Sequence, residues 1–211
     1  MSTQLWCVLV CVGVIMELLV DYRGRNRFLS IGKPLASSAF IGLALHLDAF
    51  ASTYGQALFA GLVLSWLGDM FLIPKGAKRW FLAGLVSFLL GHVAYVVAFI
   101  QYGGDNATLF AAFAVSALPA VVVLRWLWPR LSTQMRRPVI AYVVVISSMI
   151  SAAIMAFTVR QQWELLVGAA LFYLSDLFVA RHRFVVEHRI NRLVGLPLYY
   201  GGQCVLALSL A

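Results

Sequence analysis

The sequence predicts an all-α membrane protein of about eight transmembrane helices. Three observations carry that prediction. Of 211 residues, 63% are hydrophobic and only 11% are charged, whereas a soluble domain carries about 25% charged residues. The apolar residues gather into runs that approach the roughly 20 needed to cross about 30 Å of hydrocarbon. The basic residues behind the net charge of +8 sit in short gaps between those runs. There they set membrane topology, so the excess charge does not point to nucleic acid.

The runs fall at about 4–20, 34–50, 55–73, 80–100, 107–128, 138–159, 163–180 and 194–211. The first lacks the basic leading region and clean cleavage pattern of a signal peptide, and reads as a helix that stays. The second is short and holds Ser37, Ser38 and His46, with a turn expected near Asp48–Thr53. Arg23, Arg25, Arg27 and Lys33 follow the first run, and Lys75, Lys78 and Arg79 follow the third. Arg125, Arg130, Arg136 and Arg137 join the fifth to the sixth. Arg181, Arg183, Arg189 and Arg192 follow the seventh. Only Arg160 breaks the parity, so fifteen of sixteen basic residues share one side. The positive-inside rule makes that side cytoplasmic and puts both termini outside. The whole chain, 1–211, reads as one polytopic domain. Its compact length suits a bacterial inner membrane.

An internal repeat is visible. G-L-V-L-S-W-L-G-D-M-F, from Gly61 to Phe71, resembles G-A-A-L-F-Y-L-S-D-L-F, from Gly168 to Phe178. The register aligns Asp69 with Asp176, and roughly Lys33-Pro34 with Arg137-Pro138 and His92 with Tyr199. Two parallel four-helix repeats follow, 1–103 and 104–211. Sites in such folds lie at the repeat interface.

The chemistry lies in rare polar groups. Asp48, Asp105, Glu164 and Glu187 sit in or beside loops, and Asp21 ends the first helix. Glu17, Asp69 and Asp176 lie within spans, where a charge costs at least about 2.5–3.5 kcal/mol and is seldom idle. Asp69 precedes Lys75 by six residues and Asp176 precedes Arg181 by five. At 1.5 Å per residue they lie about 9 Å and about 7.5 Å below the cytoplasmic edge. Lys33, Tyr199, Tyr200 and Gln203 begin helices from that edge, and His92 lies nearer the midplane. Ser65 and Tyr173 share the faces of the two aspartates. The opposite half is nearly bare of ionisable groups. The bland alternative is that these groups only hydrogen-bond across helices. Cys7, Cys11 and Cys204 lie in apolar segments without metal-ligand spacing, so they read as small buried hydrophobes. No metal or other cofactor is expected.

At these residues the chain resembles the lysoplasmalogenase family of YhhN-like membrane proteins. The likeness is carried by Lys33-Pro34, S-W-L-G-D-M-F-L at 65–72, G-H-V-A-Y at 91–95, Y-L-S-D-L-F-V-A at 173–180 and L-Y-Y-G-G-Q at 198–203. The resemblance implies an eight-helix hydrolase in the bilayer. It would cleave the vinyl ether of a lysoplasmalogen to a fatty aldehyde and glycerophosphoethanolamine or glycerophosphocholine. Such a reaction needs one carboxyl held protonated and a second group held anionic. Asp69 and Asp176 are the expected pair, in either order. His92, Tyr199, Tyr200 and Gln203 are expected to orient water or the ether oxygen. Lys33, Ser65, Tyr95, Tyr173 and Glu17 are expected to bind substrate, with Lys33 and loop arginines on the lipid phosphate. The competing expectation is a proton-coupled transporter using the same carboxylates.

Overall fold

The computed structural model describes residues 2–23, 31–74 and 78–211. Arg25, Arg27 and Lys75 of the basic gaps lie outside these. Eight α-helices follow in order: α1 (Thr3–Tyr22), α2 (Gly32–His46), α3 (Thr53–Phe71), α4 (Lys78–Gln101), α5 (Asn106–Leu127), α6 (Thr133–Arg160), α7 (Trp163–Ala180) and α8 (Arg189–Leu208). A 3-10 turn extends α5 and a π-helical turn, Arg181–Val185, extends α7.

Local chemistry sets the ends. The Ser2 and Ser52 hydroxyls accept from the Leu5 and Gly55 amides and start α1 and α3, satisfying amides that a helix start leaves open. Asp105 starts α5. The Thr108 hydroxyl and amide donate to it and hold its carboxyl below the usual range. Asp48 takes a left-handed backbone (φ 54°) in the turn between α2 and α3. The last helix begins five residues before the apolar run does, because His188 caps it and its first turn is polar.

Among the described residues five segments are long and apolar enough to cross a membrane: α1, α4, α5 and α7 with their extensions, and α6. Helices α2, α3 and α8 fall short of that measure. α2 is too short, and polar residues lower the other two: Gln56 and Asp69 on α3, and Asn191, Arg192 and Gln203 on α8. α2 has 15 residues, about 22 Å at the helical rise. The outer surface is rich in bare apolar side chains, as at Phe110, Val115, Leu118 and Val122 of α5. In water that surface would be an aggregation liability, whereas lipid accepts it.

Small residues bring the helices together. A Cβ at Gly13 would lie 2.6 Å from the Ala36 amide nitrogen and 2.7 Å from the Gly32 carbonyl oxygen. One at Gly32 would meet the Gly13 carbonyl at 2.7 Å. α1 and α2 thus touch backbone to backbone, as small-residue interfaces permit. The aspartate-bearing helices pack similarly. A Cβ at Gly91 would lie 3.2 Å from the Gly61 carbonyl, and one at Gly202 would lie 3.0 Å from the Gly168 carbonyl.

Replacing Gly13 by Val is expected to separate α1 from α2 and cost about 1–3 kcal/mol. Thermal unfolding in detergent measures this. Gly201→Ala is the neutral control, because nothing lies within 4 Å of its added carbon.

Candidate active site

Asp69 lies in the last turn of α3, 1% exposed. Lys33 and Ser37 are one turn apart on α2 and so face it together. Lys33 Nζ donates to Oδ1 at 3.2 Å, and Ser37 Oγ donates to Oδ2 at 2.6 Å. Tyr199 of α8 donates its hydroxyl to Oδ2 at 2.9 Å, with the Ser65 carbonyl a further 3.3 Å neighbour of that hydroxyl. Both oxygens of the carboxylate are therefore engaged by donors. The Tyr200 hydroxyl lies 3.4 Å from Ser37 Oγ. Because the Ser37 proton goes to Asp69, Tyr200 is the donor there.

Asp176 lies on α7, and its side chain is 15% exposed against 2% for that of Asp69. Tyr142 of α6 donates to its Oδ2 at 2.9 Å. His92 of α4 places Nε2 3.3 Å from the same oxygen, off the line of a formed hydrogen bond. His92 Nδ1 lies 2.6 Å from the Phe88 carbonyl. A carbonyl only accepts, so Nδ1 carries a proton. Nε2 and the carboxylate can then face one another favourably only with a proton on one of them. No hydrogen bond reaches Oδ1 of Asp176 among the described residues.

Both aspartates line one cavity of about 480 Å³. Its inner end is framed by aromatic rings. Phe172 stacks at 4.2 Å from the His92 centroid and 5.3 Å from that of Tyr199, and Phe88 meets Tyr199 at 5.6 Å. One wall is aliphatic: Val123 and Leu127 of α5 with Val139, Val143 and Ile146 of α6. The other end reaches the basic turns at Arg183 and Arg192. The partners are exchanged across the molecule. Asp69 receives Tyr199 from the second half of the chain, and Asp176 receives His92 from the first.

The structure brings Asp69, Asp176, Lys33, Tyr173 and Tyr199 to the cavity wall. His92 stands behind Asp176, and Tyr200 behind Ser37. Ser65, Tyr95 and Gln203 are wholly buried and are not part of the lining. Tyr95 donates to Gln203 Oε1 at 2.5 Å, which joins α4 to α8. Contrary to expectation, Ser65, Tyr95 and Gln203 thus do not meet a substrate in the cavity, because all three are enclosed between helices. Two further expectations change. Lys33 is committed to Asp69, so it is not a free ammonium for a lipid phosphate. Glu17 is 1% exposed and does not line the cavity, because Arg192 Nη2 holds it at 2.8 Å. The same guanidinium reaches Asp21, which ties α1 to α8.

Sequence reasoning missed Ser37 and Tyr142 as partners of the aspartates. Ser37 had a readable signal in its spacing of four from Lys33. Tyr142 had none beyond being a hydroxyl in an apolar run. Among the described residues no group of three or more His, Cys, Asp or Glu gathers to hold a metal.

Comparison with known proteins bears on this arrangement. The model of the YhhN family matches residues 29–210. The chain is 30% identical to lysoplasmalogenase TMEM86A of Bos taurus over 175 residues, 79% of the chain and 71% of that relative. It is 31% identical to lysoplasmalogenase TMEM86A of Homo sapiens over 158 residues, 72% of the chain and 64% of the relative. It is 29% identical to a lysoplasmalogenase of Mycobacterium tuberculosis over 172 residues, 78% of the chain and 64% of the relative. The chain thus spans about two thirds of these relatives' own length. No solved structure matches.

Breaking the buried pair from one side is expected to be costly. Lys33→Met should destabilise the fold by about 3–5 kcal/mol, because it strands a carboxylate. The double variant Lys33→Met, Asp69→Asn should recover part of that loss. Unfolding of the four proteins of the cycle gives the coupling directly.

Proposed function

The chain belongs to the YhhN family, and from that premise we propose that it hydrolyses the vinyl ether bond of lysoplasmalogens. The products are a fatty aldehyde and glycerophosphoethanolamine or glycerophosphocholine. One observation carries the reading: two carboxyl groups of unlike surroundings line a single cavity that is aliphatic on one wall and basic at one end. The relatives named above are lysoplasmalogenases by name, and the transport reading draws no support from them.

A vinyl ether hydrolyses by protonation at its β-carbon. In this reading Asp176 is the acid. Its Oδ2 faces Tyr142 and His92, and Oδ1 stays open toward the cavity and carries the proton that is delivered. Proton delivery turns the ether oxygen and its α-carbon into an oxocarbenium ion and leaves Asp176 as the carboxylate. Asp69 is the anionic partner, with Lys33 and Ser37 holding its charge in place. Its hydrogen bond from Tyr199 leaves the phenolic lone pairs free to accept from a water molecule. That water adds to the α-carbon and returns a proton to Asp176. The resulting hemiacetal gives up its hydroxyl proton and breaks the bond to the glycerol oxygen, which takes a proton. One water is consumed, and the acid is restored. Unlike environments for two carboxyl groups are the usual basis for such a division of labour. The alkenyl tail lies along the wall of α5 and α6. The positive-inside pattern of the basic gaps supports a site open to the cytoplasmic leaflet of a bacterial inner membrane.

Purified protein is expected to release aldehyde from a lysoplasmalogen but not from the ester or alkyl-ether lysolipid. Asp176→Asn should lower kcat by about 10²–10⁴-fold, the usual worth of a general acid. Near-native turnover in both Asp69→Asn and Asp176→Asn, with folding intact, would overturn the assignment.

A further inference from the structure

The cations at the basic end of the cavity are not equivalent. Arg192 donates to Glu17 and Asp21, and the neighbouring Arg181, which does not line the cavity, donates to Asn191. Lys33 is deep in the bundle on Asp69. Arg183 differs from all three. It lies in the π-helical turn that extends α7, lines the cavity, and holds its guanidinium carbon over the Phe81 ring, 4.2 Å from the centre. Among the described residues no carboxylate pairs with it. Departures from α-helical winding of this kind recur at functional sites, where they re-aim side chains.

We propose that Arg183, seated on Phe81, is the binding subsite for the phosphate of the lysolipid headgroup. The inference rests on reading the cavity as a lysophospholipid site. A guanidinium stacked on an aromatic face keeps its N–H edge free in the ring-parallel plane. That edge fits two oxygens of a phosphodiester. The spacing agrees. Arg183 follows Asp176 by seven residues, roughly 10 Å along a helix. The β-carbon and phosphorus of a lysoplasmalogen are seven bonds apart, about 9 Å extended at ordinary bond lengths. A phosphate on Arg183 therefore leaves the vinyl ether beside Asp176. Phe81 also supplies an apolar face against which the glycerol carbons pack.

The test uses full-length protein in detergent and binding rather than turnover. The probes are a saturated 1-O-alkyl lysophosphocholine, the 1-O-alkylglycerol of the same chain length, and inorganic phosphate. Arg183→Gln is expected to weaken the lysophosphocholine by about 10- to 100-fold, as loss of charge-assisted hydrogen bonds does, and to leave the alkylglycerol unchanged. Arg183→Lys should fall between, since it keeps the charge and loses the fork. Arg183 is exposed, so thermal midpoints should match in all three proteins. Wild-type affinity of Arg183→Gln for the lysophosphocholine overturns the proposal. So does inorganic phosphate binding as tightly as the lysolipid, which makes this a free-phosphate site. If the Gln variant loses the lysolipid while wild-type protein releases no aldehyde from a lysoplasmalogen, the subsite stands and the proposed reaction fails.

Discussion

The contact between the Lys33 ammonium and the Asp69 carboxylate, sealed among α2, α3 and α8, constrains most of what surrounds it. An ionised carboxyl at this depth is unfavourable unless its partners are held in place. Ser37 and Tyr199 complete the set, so three helices must meet at one point with little freedom to slide. Lys33 and Asp69 also lower the hydropathy of α2 and α3. Of the long apolar helices, α5 is the least buried and α6 the most. The bundle is thus graded. Its lipid-facing parts are interchangeable in character, and its interior is specified atom by atom.

The gradient explains what was legible in the sequence. Asp69 and Asp176 stood out because a carboxylate in an apolar run has few structural excuses. The helix positions followed from the runs, and the basic gaps marked the end on which the cavity opens. Less legible were groups whose chemistry is ordinary in a membrane helix. Ser37 read as a weakness of the second run, yet it is a donor to the buried carboxylate. Tyr142 resembled any tyrosine in an apolar helix. Glu17 and Lys33 were correctly picked out as unusual, but their partners were not deducible. Pairing depends on which helix faces which, and that is set by close glycine contacts such as Gly13 on Gly32. Eight helices stand among the described residues where the eight apolar runs predict them, and five of these segments are long and apolar enough to cross a membrane.

The exchange of partners between the two aspartates has a simple reading. In the register of the sequence repeat, His92 corresponds to Tyr199 and Asp69 to Asp176. A duplicated four-helix unit whose last helix reaches across to the other copy would produce the crossed contacts described above. On one side a tyrosine donates to a carboxylate engaged at both oxygens. On the other a histidine faces a carboxylate with an open oxygen. That difference is what gives the proposed acid and its anionic partner separate duties.

The aliphatic wall formed by α5 and α6 has a consequence for how the proposed reaction would run. A cavity lined by aliphatic side chains on one flank and reaching basic residues at one end would sort the proposed products by solubility. The aldehyde would partition into the bilayer, while the phosphodiester headgroup would partition into water. Once apart, the two seldom meet again at one site. Phase separation of the fragments, rather than a tight grip on either, would keep turnover moving in a single direction.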